Sequence, residues 1–385
     1  MARRHKTIPI KKAALAAGMV FALPLLGKGF VMSIPYVSAM AEQAAFVSAG
    51  ITLPEGTMSF FTQAKQDNDA SQPTEQTEVQ TGGQQENTSQ PETSPSPDSV
   101  STPQDVGITQ EEIDTYSNHD GTIVRKQYTA GSTTQYLNIG GSAYIYNTTN
   151  VDNNTVLQAA NSLPDFKIAA DGSPQVLIMH THTTESYDLA PRDFYDNRVP
   201  SRNRDTSRNM VRVGDEIAKQ LEAAGIGVIH SSAEHDYPSY NGAYDRSRET
   251  VQTILKENPS IKIVLDIHRD AISTKDGTRY APIANINGKN AAQVMIVSGC
   301  DDGTMNYPNY LKNLSFSSLL QKQMESDYPG LTRPVAFKYK FYNQDLTTGS
   351  ILIEMGGHAN SLNEAVYSGE LVGKSLAKAL LSIQE

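Results

Sequence analysis

The sequence predicts an α/β domain with a mainly parallel central sheet and helices on both faces. Three observations carry this. The short apolar runs VLIMH (176–180), IKIVLDIH (261–268) and GSILIEMGG (349–357) read as buried strands. NMVRVGDEIAKQLEAAG (209–225) and YDRSRETVQTILKENP (244–259) carry apolar residues at helical spacing. The two kinds of segment alternate along the chain, the pattern of strands joined by crossover helices.

Taken in order, the elements begin with an N-terminal address. Residues 1–12 form a basic tail with five Lys or Arg. Residues 13–41 are apolar apart from Lys28. A basic flank before an apolar run places the basic end in the cytoplasm. The run is long for a signal peptide and reads as a transmembrane anchor, with Lys28 snorkelling. Ala39-Met40-Ala41 also offers a small-x-small cleavage site, so a cleaved signal is the alternative. In both cases the rest of the chain works outside the cytoplasmic membrane, anchored or secreted. Residues 42–107 form a spacer rich in Gln, Ser, Thr and Pro, too poor in large apolar residues to offset its ordering entropy.

The folded part begins near Ile108. Residues 108–172 contain period-two stretches such as TTQYLNIGGSAYIYNTT and read as a small β-containing part. Residues 173–385 form the main domain. VLIMH is its first strand, and the 209–225 helix stops at Gly225. IGVIHSS is a strand, and the next helix stops at Pro259. IKIVLDIH and AAQVMIVSG (291–299) are strands, 310–327 is a helix, GSILIEMGG a strand and 361–383 the closing helix.

Composition excludes some classes. The net charge is −10 over 385 residues, against a nucleic-acid partner. Cys300 is the only cysteine, which excludes an intrachain disulfide and a CxxC metal site.

Three strands end in residues suited to metal or acid–base chemistry. The first runs into His180, His182 and Glu185, the second carries Asp266, His268, Arg269 and Asp270, and the third carries Glu354. His182 and Glu185 form an HxxE spacing, and His268 is the natural third ligand. Two histidines favour zinc over a hard cation, and three protein ligands leave a position for water. His180 would point to the same side as His182 in an extended segment, so either is a candidate. Asp266 suits the carboxylate that accepts the other N–H of a ligand histidine. Arg269 suits a substrate carboxylate. Glu354, inside an apolar strand pattern, suits a general base. Tyr237 and Tyr240, in a Tyr-rich loop, suit sugar and peptide binding. Asp205 is an outside candidate ligand. His119, His230 and His358 read as ordinary, although His358 lies near Glu354.

The phrases HTHTTESY (180–187), NMVRVGDEIAKQLEAAGI (209–226), HDYPSYNGAYDRSRETV (235–251), VLDIHRDA (264–271) and ILIEMGG (351–357) together resemble the stage II sporulation protein P family. The resemblance covers roughly residues 170–385. It implies a fold similar to the zinc-dependent N-acetylmuramoyl-L-alanine amidases, of the phosphorylase/hydrolase-like kind. It implies cleavage of peptidoglycan between N-acetylmuramic acid and the stem peptide during engulfment in sporulation. Family members are also described as cross-link endopeptidases. The implied partners are a lytic transglycosylase and a membrane protein of the engulfment machinery. Carried onto this chain, the zinc ligands are His182 or His180, Glu185 and His268, with Glu354 catalytic. The general amidases place their metal-binding Glu at the start of the first helix, where this chain has Asp205 and no Glu. Glu185 or Asp205 therefore completes the set. A cross-link endopeptidase or carboxypeptidase and a catalytically inactive wall-binding module are the competing readings.

Overall fold

The computed structural model describes residues 106–169 and 171–385. The basic tail, the apolar segment and almost all of the spacer lie outside the described residues. Among those described, no helix is long and apolar enough to cross a membrane.

In chain order the elements are α1 (Gln110–Thr115), β1 (Gly121–Lys126), β2 (Tyr136–Gly140), β3 (Ala143–Asn147), α2 (Asn153–Ala160), β4 (Pro174–Met179) and β5 (Phe194–Tyr195). There follow α3 (Met210–Ala223), β6 (Gly227–His230), α4 (Ala243–Glu257), β7 (Ile263–Asp270), β8 (Arg279–Ile286) and β9 (Lys289–Ala292). The chain ends with β10 (Val294–Cys300), α5 (Tyr310–Asp327), β11 (Val335–Tyr339), β12 (Gly349–Gly357) and α6 (Leu362–Leu381).

An eight-stranded sheet runs β2-β3-β11-β10-β12-β7-β4-β6. Its pairs are parallel except β2–β3 and β10–β12. A smaller sheet runs β5-β1-β8-β9. The mixed α/β architecture and mainly parallel sheet agree with the sequence pattern. The run AAQVMIVSG, expected as one strand, is divided at Gln293 between the two sheets. The Gln293 amide bonds Tyr128 N and O and Gly330 O at 2.6, 3.0 and 3.0 Å, which fixes the crossing point.

Local signals explain the ends of α3. Asn209 caps its start, accepting from Val211 N at 2.9 Å, and Gly225 follows its end with φ 79°. Alternation along each strand decides the layers. Val176, Ile178, Leu265, Ile267, Ile351, Ile353 and Met355 face a large core completed by α3, α5 and α6. Leu177, Met179 and Val264 face the opposite way and meet Val251 and Ile254 of α4. Both faces are covered, but unequally: α4 is the helix packed on the second face. Further along that face Met295, Val297, Ala336 and Leu352 pack under Tyr342. The second face is where polar side chains enter the sheet.

Candidate active site

β7 and β12 are parallel neighbours, and His268 stands in register with Glu354. Paired residues project to the same side, so the imidazole and the carboxylate share the second face. Asp266 lies two residues before His268, on that face too. His182 arrives from the turn that follows β4. Its ring centroid is 5.2 Å from that of His268, at an interplanar angle of 88°. Glu185 closes the same turn, its N–H donating to His182 O at 3.1 Å. Its Oε2 lies 3.6 Å from His268 Nδ1 and accepts from Arg269 N at 3.1 Å. Thus His182, Glu185, His268 and Glu354 meet on one sheet face, each at most 3% exposed.

Asp266 stands 2.8 Å from His268 Nε2. Its two oxygens also accept from Thr181 N and Oγ1 at 2.8 and 2.7 Å. Burial opposes a charge on His268, but Asp266 and then Glu185 outweigh it and lift its pKa well above 6.5. Glu185 is held below the ordinary carboxylate range despite its burial, by the His268 imidazole and the Arg269 charge. Burial pushes His182 down to about 3, so its ring is neutral. Glu354 is pushed up to about 8 by burial and by the neighbouring Asp270 charge.

Six buried atoms of these four residues have no hydrogen-bond partner: His182 Nδ1, Glu185 Oε1, both ring nitrogens of His268 and both oxygens of Glu354, although the Asp266 carboxylate stands in ion-pair contact with His268 Nε2. Such orphans are costly unless a ligand satisfies them. Two imidazole nitrogens and a carboxylate are a donor set that suits zinc. The spacing is less closed than the chemistry. Among the described residues, no three His, Cys, Asp or Glu side chains stand close enough to enclose an ion as placed. The donor types suit zinc, but as placed they do not form a coordination shell.

His180 is set apart from this group. The strand ends at Met179, so the two histidines do not share an extended segment. His180 Nδ1 meets Ile267 O at 3.0 Å and Nε2 meets His230 Nε2 at 2.9 Å. His230 continues to Asp215 at 3.0 Å. Asp205 is exposed, its carboxylate accepting from Ser207 N and Oγ. Arg269 is fully buried, donating to the carbonyls of Ser186 and Ser201 at 2.8 Å each. It ties the 184–202 segment to β7. Tyr240 stacks on His182 with centroids 4.4 Å apart, and Arg202 lies 4.6 Å over the other ring. Tyr237 is 48% exposed, under the Arg204 guanidinium at 3.9 Å, and takes no part in the cluster. His358 is half-buried, and its backbone N–H donates to Asp270 O at 2.8 Å.

Sequence reasoning passed over three neighbours. Tyr244 stacks near His268, centroids 6.4 Å apart, and its hydroxyl is buried. Burial drives its pKa well above 10, so it stays protonated. Lys338 is 4% exposed on the same face as Ala336, its Nζ without a hydrogen-bond partner. Burial presses it down to about 8 against the charges of Asp270 and Glu354. Arg333 pairs with Asp270 at 2.9 Å. The signal for Lys338 was available: VAFKY (335–339) alternates, and a lysine falls on the polar-bearing face.

The molecule is thus an α/β domain whose second sheet face carries a buried His–Glu–His cluster beside a carboxylate. The chain belongs to the stage II sporulation protein P family, whose model matches residues 41–377. It is 36% identical over 200 residues to the stage II sporulation protein P of Bacillus subtilis (strain 168). That match covers 49% of this chain and 47% of the relative, about half the length of each. Among solved structures it is similar to N-acetylmuramoyl-L-alanine amidase AmiC2 of Nostoc punctiforme, at 11% identity and TM-score 0.32, over 54% of this chain and 96% of that one. An N-acetylmuramoyl-L-alanine amidase from Clostridium difficile 630 aligns at 14% identity and TM-score 0.32, over 55% and 97%.

Proposed function

We propose that this chain is a peptidoglycan hydrolase that cleaves the amide between N-acetylmuramic acid and the stem peptide, with zinc as cofactor. One observation carries the reading. His182, Glu185, His268 and Glu354 are brought from three separate segments onto one buried face, with their inward atoms unsatisfied. A structural cluster would pair such groups with one another. Membership of the sporulation family supplies the setting.

His182, Glu185 and His268 would hold the zinc, which when bound supplies Lewis acidity and a lowered pKa for water. Asp266 holds the His268 ring through its ion pair at Nε2, leaving Nδ1 towards Glu185. Glu354 takes a proton from the attacking water and delivers it to the departing nitrogen. Its raised pKa suits both halves of that task near neutral pH. Tyr240 covers the outer face of His182, where a sugar or peptide would stack. In the same reading the domain works outside the cytoplasmic membrane, held there by residues 13–41. It would act with a lytic transglycosylase and a membrane protein of the engulfment machinery.

The test is digestion of purified sacculi by the full-length protein, with and without chelator, beside Glu354→Gln. Products are read by mass spectrometry. Glycan strands freed of stem peptides, lost with chelator and with the variant, support the amidase. Cut cross-links with intact glycan–peptide bonds make it an endopeptidase. No product under any condition leaves a wall-binding module.

A further inference from the structure

We propose that Tyr244 is a catalytic residue of this site, its hydroxyl donating a hydrogen bond to the carbonyl oxygen of the scissile amide. The inference rests on the hydrolytic reading above and adds a residue to it.

Tyr244 is the second residue of α4. Its ring stands edge-on to His182 at 5.6 Å and nearly parallel to His268 at 6.4 Å. The hydroxyl is buried and has no hydrogen-bond partner in the fold. Two carboxylates, Asp266 and Glu354, are near enough for their charge to act on it, yet neither accepts its proton. Asp266 is occupied by Thr181 and His268. A buried O–H left unmet beside a group of candidate ligands calls for an acceptor from outside the chain.

The residue is held at its backbone carbonyl and by a stacked ring. Asn343 Nδ2 and Ser247 Oγ both donate to the Tyr244 carbonyl, at 2.8 and 3.1 Å. Ser247 is linked through Thr181 to Asp266. Tyr342 stacks on the ring, centroids 5.2 Å apart. Tyr342 and Asn343 reach that position with left-handed φ angles of 45° and 56°. Two successive non-glycine residues in that region are strained, and the strain persists only where the surroundings enforce it. Here the bidentate Arg248–Asp345 pair, at 2.7 and 2.6 Å, ties the same loop to α4. The scaffold fixes a ring that packs against His182 and His268 and whose hydroxyl is buried without a partner.

The chemistry needs such a donor. As water adds to the amide carbon, the carbonyl oxygen takes up negative charge. The Tyr244 O–H stabilises that charge by hydrogen bonding and keeps its own proton. The proton of the water goes to Glu354 and from there to the nitrogen as the C–N bond breaks.

The experiment measures kcat and KM of the full-length protein on a soluble disaccharide–tetrapeptide in the presence of zinc. Tyr244→Phe removes one hydroxyl and keeps both ring contacts. Tyr367→Phe is the control, a remote hydroxyl bonded to Ile286 O. Tyr244→Phe is expected to lose about 10²-fold to 10³-fold in kcat, the usual cost of one such donor. KM, melting temperature and bound zinc per chain stay at the wild-type values. A variant within about twofold of wild-type kcat, beside an inactive Glu354→Gln, overturns the inference and leaves the hydrolase standing. A raised KM with intact kcat overturns it too, since that marks a binding residue. Wild type that cleaves nothing sinks both.

Discussion

Replacing Arg269 by methionine separates two roles for a residue that the sequence alone placed with the substrate. The side chain is fully buried, and its Nε and Nη2 donate to Ser186 O and Ser201 O at 2.8 Å each. A third contact, Nη1 to Asp270 O at 3.4 Å, is too long to count for much. Hydrogen bonds from a charged donor contribute about 1.5–3 kcal/mol each. Methionine keeps much of the stem volume but takes the donor from Ser186 O, while Ser201 O keeps Ser186 N at 3.1 Å. Losing the buried cation also removes its desolvation cost, which cuts the sum. The expected loss is about 3–4 kcal/mol, within the range for breaking a buried charged network. Against a typical total of about 5–15 kcal/mol that is a large share. Urea unfolding of the full-length protein, followed by circular dichroism, gives the loss from the midpoint shift and the slope. A loss below about 1 kcal/mol together with a raised KM would refute the structural role. Arg269 would then return to a substrate carboxylate.

The remaining expectations follow from the same geometry. His182→Gln should abolish zinc binding measured by titration calorimetry. His180→Gln should leave zinc stoichiometry unchanged and cost about 1–3 kcal/mol of stability, because both its ring nitrogens are engaged elsewhere. Equal loss of zinc in the two variants would put His180 back among the ligands. Glu354 has its folded-state pKa raised to about 8 from 4.5. Its contribution is therefore fully present below about pH 4.5 and is lost as pH rises through 8. Lys338 is shifted the other way, to about 8 from 10.5, so stability recovers between those values. In chelator, unfolding midpoints against pH should fall and then rise for wild type, and the fall should be absent in Glu354→Gln. A variant curve that tracks the wild type contradicts the assignment. Gly356→Ala should lower stability by about 2–4 kcal/mol: φ is 75°, and a Cβ would stand 2.6 Å from Ala292 Cβ. A melting curve unchanged by this substitution would mean that the turn after Glu354 is not held as described.

The strands and long helices were legible because their apolar residues keep one period over enough length. GSILIEMGG and 310–327 match β12 and α5 residue for residue. The smaller sheet was not read. Its β8–β9 hairpin turns on Asn287-Gly288, both at positive φ, and that dipeptide is a strong hairpin signal. Polar residues in β8 and β9 hid the strands on either side. β11 was lost for a related reason, since five residues with two ending in Lys and Tyr make a weak pattern. At the site, HxxE placed His182 and Glu185 correctly as neighbours. Placing His180 beside His182 needs alternation to run three residues past Met179, where β4 ends. A period holds only while the strand lasts, and no local signal in HTHTTES marks Met179 as its end.

The position of Glu354 depends on the run EMGGHANSLNE (354–364), in which one stretch encodes four local structures. Strand pairing with β7 continues through Glu354, and the register then shifts before Gly357 meets Asp270. Gly356 supplies the positive φ that such a bulge needs. Beyond it Gly357 N donates to Asn360 Oδ1 at 2.9 Å, and Asn360 Nδ2 donates to Pro282 O at 3.1 Å. Ser361 and Glu364 then form the capping box of α6. Glu364 also pairs with Arg125 of β1. The carboxylate of Glu354 is thus fixed from one side by its register with His268 and from the other by a bulge pinned to a helix cap. A strand left regular past Glu354 would bring His358, four residues on, to the same face. The bulge instead turns the chain away, so that Glu354 is the last side chain of β12 to enter the site and meets no protein partner there.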